Sequence, residues 1–238
     1  MLAPAKRHLD GLPAGHPCEG CEVRDKAVCG VLDCMDLANF KALGRTVKLS
    51  PGQVLFHEGD PVTRVFTLTK GLLKLYNLQP DGRRHVTGFV HPGGFLGISM
   101  DEEHVFSAEA VEQAQLCWFP KNGFDGFVGE HAPMERELYR MAAHELASAH
   151  RQMVLLGRKT ANERLATFLI THAGRGANGL VRLPMNRSDI ADYLGLTKET
   201  VSRVLSAFRR DRLIRLRAID EVEILEREGL DDVARCAA

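Results

Sequence analysis

The sequence of 238 residues predicts an α+β protein in which an antiparallel β domain, one long helix and a winged helix-turn-helix follow one another. Three observations predict this order. Short β-rich runs alternate with Gly/Pro turns, a heptad of apolar residues follows residue 133, and two amphipathic helices meet at a glycine after residue 187. The predicted divisions are a cysteine-rich segment in 1–36, the β domain in 37–132, the long helix in 133–158 and the winged helix-turn-helix in 159–238.

The composition is that of an ordinary globular protein, with 45% hydrophobic and 26% charged residues. No apolar run reaches the roughly 18 residues of a membrane span. Lys6 and Arg7 lie near the N-terminus, but no apolar segment follows them as it does in a secretion signal. We therefore expect a cytoplasmic protein without a membrane partner.

Segment 1–36 is rich in Gly, Pro and Cys and has no periodicity, which predicts a loop that needs an external organiser. The cysteines of the chain are Cys18, Cys21, Cys29, Cys34, Cys117 and Cys236. The first three form a C-x2-C-x7-C pattern, which in a cytoplasmic protein indicates metal or redox chemistry more than a disulfide. Four thiolates can hold zinc or an iron–sulfur cluster, so the spacing leaves both open, beside free or redox-active thiols.

Five β-rich runs are predicted to be strands of a small antiparallel barrel or sandwich, because turns containing Gly and Pro separate them at short intervals. These runs are 54–56, 65–68, 72–78, 85–90 and 116–119.

The region after Pro133 predicts a helix of more than twenty residues with apolar residues at spacings of 3, 4, 3, 4 and 3. This seam consists of Tyr139, Ala142, Leu146, Ala149, Met153 and Leu156. A heptad seam is typical of a homodimer, and packing against the chain's own domain is the alternative. A further helix is predicted to start at Asn162 and to end in the glycine-containing stretch 174–179.

Residues 187–208 fit a helix-turn-helix position by position. Ala191 is small enough for two helices to approach, Gly195 provides the turn, and Thr197 is a favourable N-cap for the second helix. The predicted shared core is Ile190, Leu194, Leu196, Val201 and Val204. Residues 214–216 and 222–225 are predicted to form the hairpin of a wing. The motif predicts binding to double-stranded DNA.

Glu199, Ser202 and Arg203 are spaced i, i+3 and i+4 on the exposed face of the second helix. Arg can bind guanine with two hydrogen bonds, Glu can accept from cytosine N4, and Ser can contact either kind of base edge. The alternative is an ion pair between Glu199 and Arg203, worth only about 0.3–0.5 kcal/mol, and such a pair could also pre-orient the arginine. Arg209 and the arginines after it are expected to contact phosphates.

The net charge of zero conceals an asymmetry, since residues 158–217 hold 13 Lys/Arg against 5 Asp/Glu and the rest of the chain is correspondingly acidic. Beside a helix-turn-helix, this basic block predicts a phosphate-binding surface rather than a merely solvated face. A symmetric dimer would place two recognition helices roughly 34 Å apart, which predicts an inverted-repeat DNA site.

The order of these domains, with several short segments, resembles the CRP/FNR family of bacterial transcription regulators over nearly the whole chain. The segments are Gly59-Asp60, 71–75, Gly88-Phe89, Gly97 and 161–165. The resemblance implies an N-terminal β-roll like that of cyclic-nucleotide-binding domains, a dimerisation helix and a homodimer that contacts RNA polymerase. Residues 196–203, Leu-Thr-Lys-Glu-Thr-Val-Ser-Arg, are similar to the FNR-type recognition helix. This implies that Glu199, Ser202 and Arg203 bind a TTGAT half-site within a TTGAT-N4-ATCAA repeat.

The cysteine pattern resembles the FNR/FnrN-type variant, which holds an oxygen-labile [4Fe-4S] cluster. The resemblance implies that Cys18, Cys21, Cys29 and Cys117 bind the iron of this cluster and that Cys34 is a spare thiol. It also implies that the intact cluster favours the dimer and DNA binding, and that oxygen weakens both. The alternative is the same DNA-binding fold with a zinc or thiol-redox sensor.

Three positions depart from the family pattern. Cyclic-nucleotide members carry Arg followed by Ser or Thr in the roll, whereas residues 105–108 read Val-Phe-Ser-Ala, so we expect no cyclic nucleotide. Ala149 stands where the family has an acidic residue that keeps cluster-free chains apart, which leaves the monomer–dimer switch open. Lys198 stands where an aliphatic residue is common, and beside Thr197 it becomes a candidate DNA contact.

An enzyme is the competing class. The sequence holds no convincing nucleophile–base pair, phosphate loop or His-Glu-x-x-His pattern. His85, His91 and His104 are expected in turns or at the surface rather than as ligands. We therefore expect a regulator and not an enzyme.

Overall fold

The computed structural model describes residue 12 and residues 15–98, 102–173 and 179–235. The chain divides into two compact units, of which one comprises the chain up to Asn77 with Thr87–Glu145 and the other comprises Leu78–Val86 with Leu146–Ala238. In the described ranges, no helix combines the length and the apolar character needed to cross a membrane.

Within the described residues, the first eight strands form two four-stranded sheets, in the orders β1-β8-β3-β6 and β2-β7-β4-β5. The strands are β1 (Arg45–Leu49), β2 (Val54–Phe56), β3 (Arg64–Lys70), β4 (Leu73–Leu78), β5 (Arg84–Val90), β6 (Phe95–Leu96), β7 (Ser107–Ala110) and β8 (Ala114–Pro120). Strand β8 pairs antiparallel with both β1 and β3, which places Cys117 in the middle of a sheet. The buried core between the strands includes Leu68, Leu73, Ala108 and Leu116.

The turn between β3 and β4 depends on Gly71, whose φ of +85° lies in the left-handed region. A Cβ atom there would lie 2.4 Å from the carbonyl oxygen of Gln113, so a side chain would be both strained and obstructed.

Two helices pack beside the sheets, α1 (Cys34–Leu43) and α2 (Lys121–Glu130). The Asp33 carboxylate caps α1 by accepting the N–H of Asp36 at 2.8 Å. The ring of Phe40 on α1 stacks on that of Phe119 at the end of β8, with centroids 4.1 Å apart. A second core forms around this pair and consists of Val28, Leu32, Leu37, Phe40, Val65, Phe119, Phe124 and Met134.

Helix α3 (Ala132–Arg158) has 27 residues and carries the predicted heptad seam. Five of the six seam residues are exposed, and Tyr139 is 80% exposed. Leu156, the sixth, is half-buried. An apolar stripe of this kind is what an unaccompanied chain of a helix-paired dimer would present.

The C-terminal part is a winged helix-turn-helix with a small antiparallel sheet of order β10-β11-β9. Its elements are α4 (Ala161–Ala173), β9 (Leu180–Arg182), α5 (Arg187–Leu194), α6 (Lys198–Arg210), β10 (Ile214–Leu216), β11 (Glu221–Ile224) and α7 (Arg227–Ala234). Leu165, Leu169 and Leu230 are fully buried where α4 packs against its neighbours.

The predicted α+β fold class is confirmed, and each of the five predicted strands corresponds to an observed one. The prediction of segment 1–36 as a loop was incomplete, because 3-10 turns at Arg24–Lys26 and Val28–Val31 and the start of α1 lie within it. This segment is organised in part by its own apolar side chains, since Val28 and Leu32 are buried in the second core. The sequence pattern also did not predict α1, α2, α7 or the short strands β1, β6, β7 and β9.

Candidate DNA interface and cysteine site

The helix-turn-helix is formed by α5 and α6, and its turn is set by backbone geometry. Gly195 has a φ of +60° and ends α5 by donating its N–H to the Ala191 carbonyl. The Thr197 hydroxyl then caps α6 by accepting the N–H of Thr200 at 3.2 Å. Both roles are as predicted. The Asn186 side chain, which the sequence analysis did not single out, caps α5 by accepting the N–H of Asp189.

The shared core of the two helices contains four of its five predicted members in buried positions, namely Ile190, Leu194, Val201 and Val204. Leu196, the fifth, is half-buried. Ala191 is 2% exposed, as expected for a small residue at a close helix contact. These buried side chains fix the rotation of α6 about its own axis. The opposite face of the helix is therefore exposed to solvent.

The exposed face of α6 carries every residue that the sequence predicted for DNA contact on this helix. These residues are Lys198, Glu199, Ser202, Arg203, Arg209 and Arg210, and all are exposed. The N-cap Thr197 is exposed beside them. Ser206 lies on the same stripe and was missed, although its position seven residues after Glu199 and four after Ser202 indicates that face.

The possible ion pair between Glu199 and Arg203 does not form. The Glu199 carboxylate instead accepts hydrogen bonds from its own backbone N–H and from the Thr197 hydroxyl, which lower the pKa of Glu199. The Arg203 guanidinium donates to the Thr200 hydroxyl at 3.4 Å, a weak contact that leaves its donors exposed. Ser202 donates its hydroxyl to the Lys198 carbonyl at 2.9 Å. The Glu199 carboxylate and the Arg203 guanidinium are therefore available to a ligand.

Arg164 on α4 supports the turn and was not singled out beyond the resemblance of 161–165 to the family. Its guanidinium donates to four carbonyls, those of Gly195 at 3.5 Å, Leu156 at 2.8 Å, Lys159 at 2.8 Å and Leu194 at 2.9 Å. The last of these ends α5, so one side chain ties the end of α3 to the helix-turn-helix turn. This role of Arg164 could not be predicted from the sequence, because the hydrogen-bond partners of its guanidinium are backbone atoms.

Four of the cysteines line one small, open cavity. They are Cys18, Cys21, Cys29 and Cys117. Cys34 lies outside this cavity, at the first residue of α1. Cys236 falls outside the described residues, and the five cysteines within them are thiols rather than disulfides. The cavity therefore gathers the four cysteines that the family resemblance selected.

The protonation of these thiols reflects their burial. Burial raises the pKa of Cys18 to about 11 and that of Cys29 to about 12. The negative charges of the other cavity cysteines raise both values further, while Lys41 and then Arg24 act in the opposite direction on Cys18. A cation that binds the sulfurs would remove this mutual repulsion.

The donor set suits a thiolate-bound metal group, because four sulfurs surround one mainly apolar cavity. Among the described residues, however, no three His, Cys, Asp or Glu side chains are already arranged to hold a metal ion. A zinc ion draws its sulfurs to about 2.3 Å from one centre, whereas each thiolate of a four-iron cluster binds a different iron atom. The cluster therefore tolerates a wider separation of sulfurs than zinc does.

His104 corrects one expectation. It lies in a loop, but it is buried, with 7% of its surface exposed, and its ring stacks on Phe56 with centroids 3.5 Å apart. His85 lies in β5 and His91 in the loop after it, and both are half-buried. His104 thus belongs to the core of the roll rather than to its surface.

Comparisons with known proteins agree with both halves of the chain. A family model described as a cyclic nucleotide-binding domain matches residues 46–131, and one described as a Crp-like helix-turn-helix domain matches residues 163–233. The chain is 44% identical over 203 residues to the nitrogen fixation regulation protein FixK of Bradyrhizobium diazoefficiens, covering 83% of this chain and 86% of that protein.

A second relative is the transcriptional activator protein Anr of Pseudomonas aeruginosa, which is 35% identical and is matched over 95% of this chain and 93% of its own length. The solved structure of FixK2 from Bradyrhizobium japonicum superposes with a TM-score of 0.78 at 33% identity, covering 82% of this chain and all but 1% of that one. These relatives are named as regulators and not as enzymes. The chain belongs to the CRP/FNR family of DNA-binding transcription regulators.

Proposed function

We propose that the protein is a homodimeric transcription activator that binds an inverted repeat of the TTGAT-N4-ATCAA type and contacts RNA polymerase in the cytoplasm. The observation that carries this proposal is the exposed stripe of Glu199, Ser202 and Arg203 on α6, capped by Thr197 and flanked by Lys198. In this proposal, 1–36 forms the cluster-binding segment and 37–132 the sensor roll. Residues 133–158 pair two chains, and 159–238 bind DNA.

Base recognition is separated from phosphate binding by comparing two arginines of α6. We expect Arg203→Ala to weaken binding to the repeat by about 1–3 kcal/mol and to relax selection at one base pair per half-site. Arg209→Ala should weaken binding to specific and random duplexes alike, and should reduce the dependence of affinity on salt. Fluorescence anisotropy with both duplexes at several salt concentrations measures these effects. Equal weakening of both duplexes by Arg203→Ala would contradict base recognition.

We further propose that oxygen controls this binding through a [4Fe-4S] cluster held by Cys18, Cys21, Cys29 and Cys117. The shared cavity of these thiols supports the ligand set, as does the position of Cys34 outside it. When bound, such a cluster supplies a redox-active centre that oxygen can dismantle. The chain's part is to provide four sulfurs, to bury them beside Phe40 and Phe119, and to limit the access of water.

The alternative is a zinc or thiol-redox sensor on the same fold, and metal content distinguishes it. We expect about four irons and four acid-labile sulfides per chain after purification without oxygen. Cys117→Ser should abolish loading, while Cys34→Ser, the matched control, should leave it intact. Iron in the Cys117→Ser protein and none in the Cys34→Ser protein would show that the ligand assignment is wrong.

We also propose that the roll does not respond to a cyclic nucleotide. Phe106 stands where nucleotide-binding members carry an arginine, and it packs against the roll core near Phe56. The neighbouring Ser107 hydroxyl is already engaged, because it accepts the N–H of Glu58 at 3.0 Å. A nucleotide phosphate here would lack its counter-charge. Calorimetry with cyclic AMP tests this, and a saturable binding heat would contradict it.

A further inference from the structure

Lys41 lines the cysteine cavity, and the sequence pattern alone predicts no role for it. Lys41 lies in the last turn of α1, and the helix that carries it is fixed by the buried side chains of Leu37 and Phe40. The stacking of Phe40 on Phe119 holds this helix against β8 only two residues from Cys117. The backbone of Lys41 is therefore set by packing, independently of its ammonium group.

The Lys41 ammonium contacts two strands at one point. Its Nζ donates to the Cys117 Sγ at 3.2 Å and to the Thr46 Oγ1 at 3.4 Å. Thr46 and Cys117 are directly opposite each other in the register of β1 and β8. The two acceptors thus form a cross-strand pair, and a cation that binds both is positioned more narrowly than a lysine on a single partner.

The positive charge of Lys41 is what makes its contact with Cys117 relevant to the cysteine site. Lys41 is one of the residues that line the cysteine cavity. Arg24 directs a guanidinium nitrogen to the Leu32 carbonyl at 3.2 Å, whereas Lys41 directs its ammonium to a cavity sulfur. Four thiolates bring four negative charges into a partly buried site, and one cation at hydrogen-bonding distance offsets part of that charge.

We propose that Lys41 is a positioning residue for the cysteine site, in which it orients the Cys117 thiolate and stabilises the more reduced state of the bound group. This inference rests on the proposed iron–sulfur function. Hydrogen bonds to sulfur and nearby charge are the protein's means of setting cluster potentials. If Lys41 acted only as a favourable cation at the end of α1, its removal would slightly lower the stability of the protein and would leave the potential unchanged.

The test compares Lys41→Met, which keeps the apolar stem and removes the charge, with Lys41→Arg, which keeps the charge. Lys48→Met is the matched control, since Lys48 is an exposed lysine on the neighbouring strand β1. The full-length proteins are purified without oxygen. Iron and sulfide content, the one-electron reduction potential of the cluster and the time course of its bleaching in air are then measured.

We expect Lys41→Met to shift the one-electron reduction equilibrium at least tenfold toward the oxidised cluster, which lowers the potential by 59 mV at 25 °C. Its cluster should also bleach several-fold faster in air. In Lys41→Arg, the reduction equilibrium constant and the bleaching rate should both stay within about threefold of the wild-type values, and Lys48→Met should change neither. If Lys41→Met does not fold, Lys41→Gln provides the same test, with the same expected direction of shift.

The outcomes separate the two proposals. A wild type that holds four irons, with Lys41→Met indistinguishable from Lys48→Met, overturns the role of Lys41 and leaves the cluster standing. A wild type without iron overturns the cluster and this inference together. A lower potential in Lys41→Met that Lys41→Arg reverses supports the inference, because a purely structural lysine would not move the potential.

Discussion

At the scale of single residues, His104 shows how burial sets a response to pH. Burial lowers the pKa of His104 below the ordinary value of 6.5, and the weaker attraction of Asp60 opposes this shift. Below that ordinary value the unfolded chain binds a proton more readily than the folded chain does. The contribution of His104 to stability is therefore present above pH 6.5 and is lost as the pH falls below it.

This predicts that the free energy of unfolding falls between pH 7.5 and pH 5.5 by more in the wild type than in His104→Phe, which keeps the stacking on Phe56 but cannot be protonated. Urea unfolding at the two pH values measures the difference. Replacement of the exposed His57 by Gln serves as the control for the removal of an imidazole. Identical pH dependence in the wild type and His104→Phe would contradict the account.

A second single-residue prediction concerns the buried ion pair of Lys74 and Glu109. These residues are directly opposite on β4 and β7, with 2.8 Å between Nζ and Oε1 and side-chain exposures of 5% and 17%. Glu109→Ala removes one charged partner of the buried Lys74 ammonium, so we expect a loss of about 1–3 kcal/mol in the free energy of unfolding. Adding Lys74→Met should recover much of this loss. A loss below about 1 kcal/mol in Glu109→Ala would show that the charge is not effectively buried.

At the scale of elements, the helix-turn-helix was predictable because each local signal agrees with the packing. Gly195, Thr197 and the apolar spacing of α6 are read from adjacent residues, and the structure uses each of them as expected. Helix α1 escaped prediction because only Leu37 and Phe40 mark its buried face, and their burial depends on Phe119, nearly eighty residues away.

The cysteine site shows the same limit. Spacing within 18–29 indicates a metal or redox segment, but nothing in that spacing selects Cys117 over Cys34. The family resemblance made that selection, and the pairing of β8 with β1 and β3 explains physically how Cys117 reaches the cavity. Contacts such as those of Arg164 and Lys41 are absent from the sequence pattern because their partners lie on other elements.

The prediction at the scale of elements concerns Arg164 and the affinity for DNA. Because its guanidinium donates to four carbonyls, Arg164→Lys keeps the charge but cannot reproduce the contacts. We expect this variant to lower DNA affinity by about tenfold through a less rigid turn, with α6 itself unaltered. Anisotropy titrations measure the affinity. Arg182→Lys, at an exposed position of strand β9, is the matched control, and an equal loss in both variants would contradict a specific role for Arg164.

At the scale of the whole molecule, the exposed seam of α3 is an apolar surface that a single chain leaves uncovered. Leu146→Glu places a charge in the centre of this seam, so we expect a shift toward monomers and at least tenfold weaker binding to the inverted repeat. Ser148→Glu is the control, since Ser148 is exposed on the same helix but off the seam. Light scattering with size-exclusion chromatography measures the mass. A Leu146→Glu dimer of normal stability would mean that another surface pairs the chains.

In the proposed function, the state of the cysteine cavity controls DNA recognition by α6. One measurement tests this link directly. Protein purified without oxygen is titrated into a labelled TTGAT-N4-ATCAA duplex, and the titration is repeated after exposure to air, with Cys117→Ser alongside. We predict tight binding that weakens at least tenfold in air, while Cys117→Ser binds weakly throughout. Equal affinity before and after air in the wild type would contradict oxygen control and leave a DNA-binding regulator with a different signal.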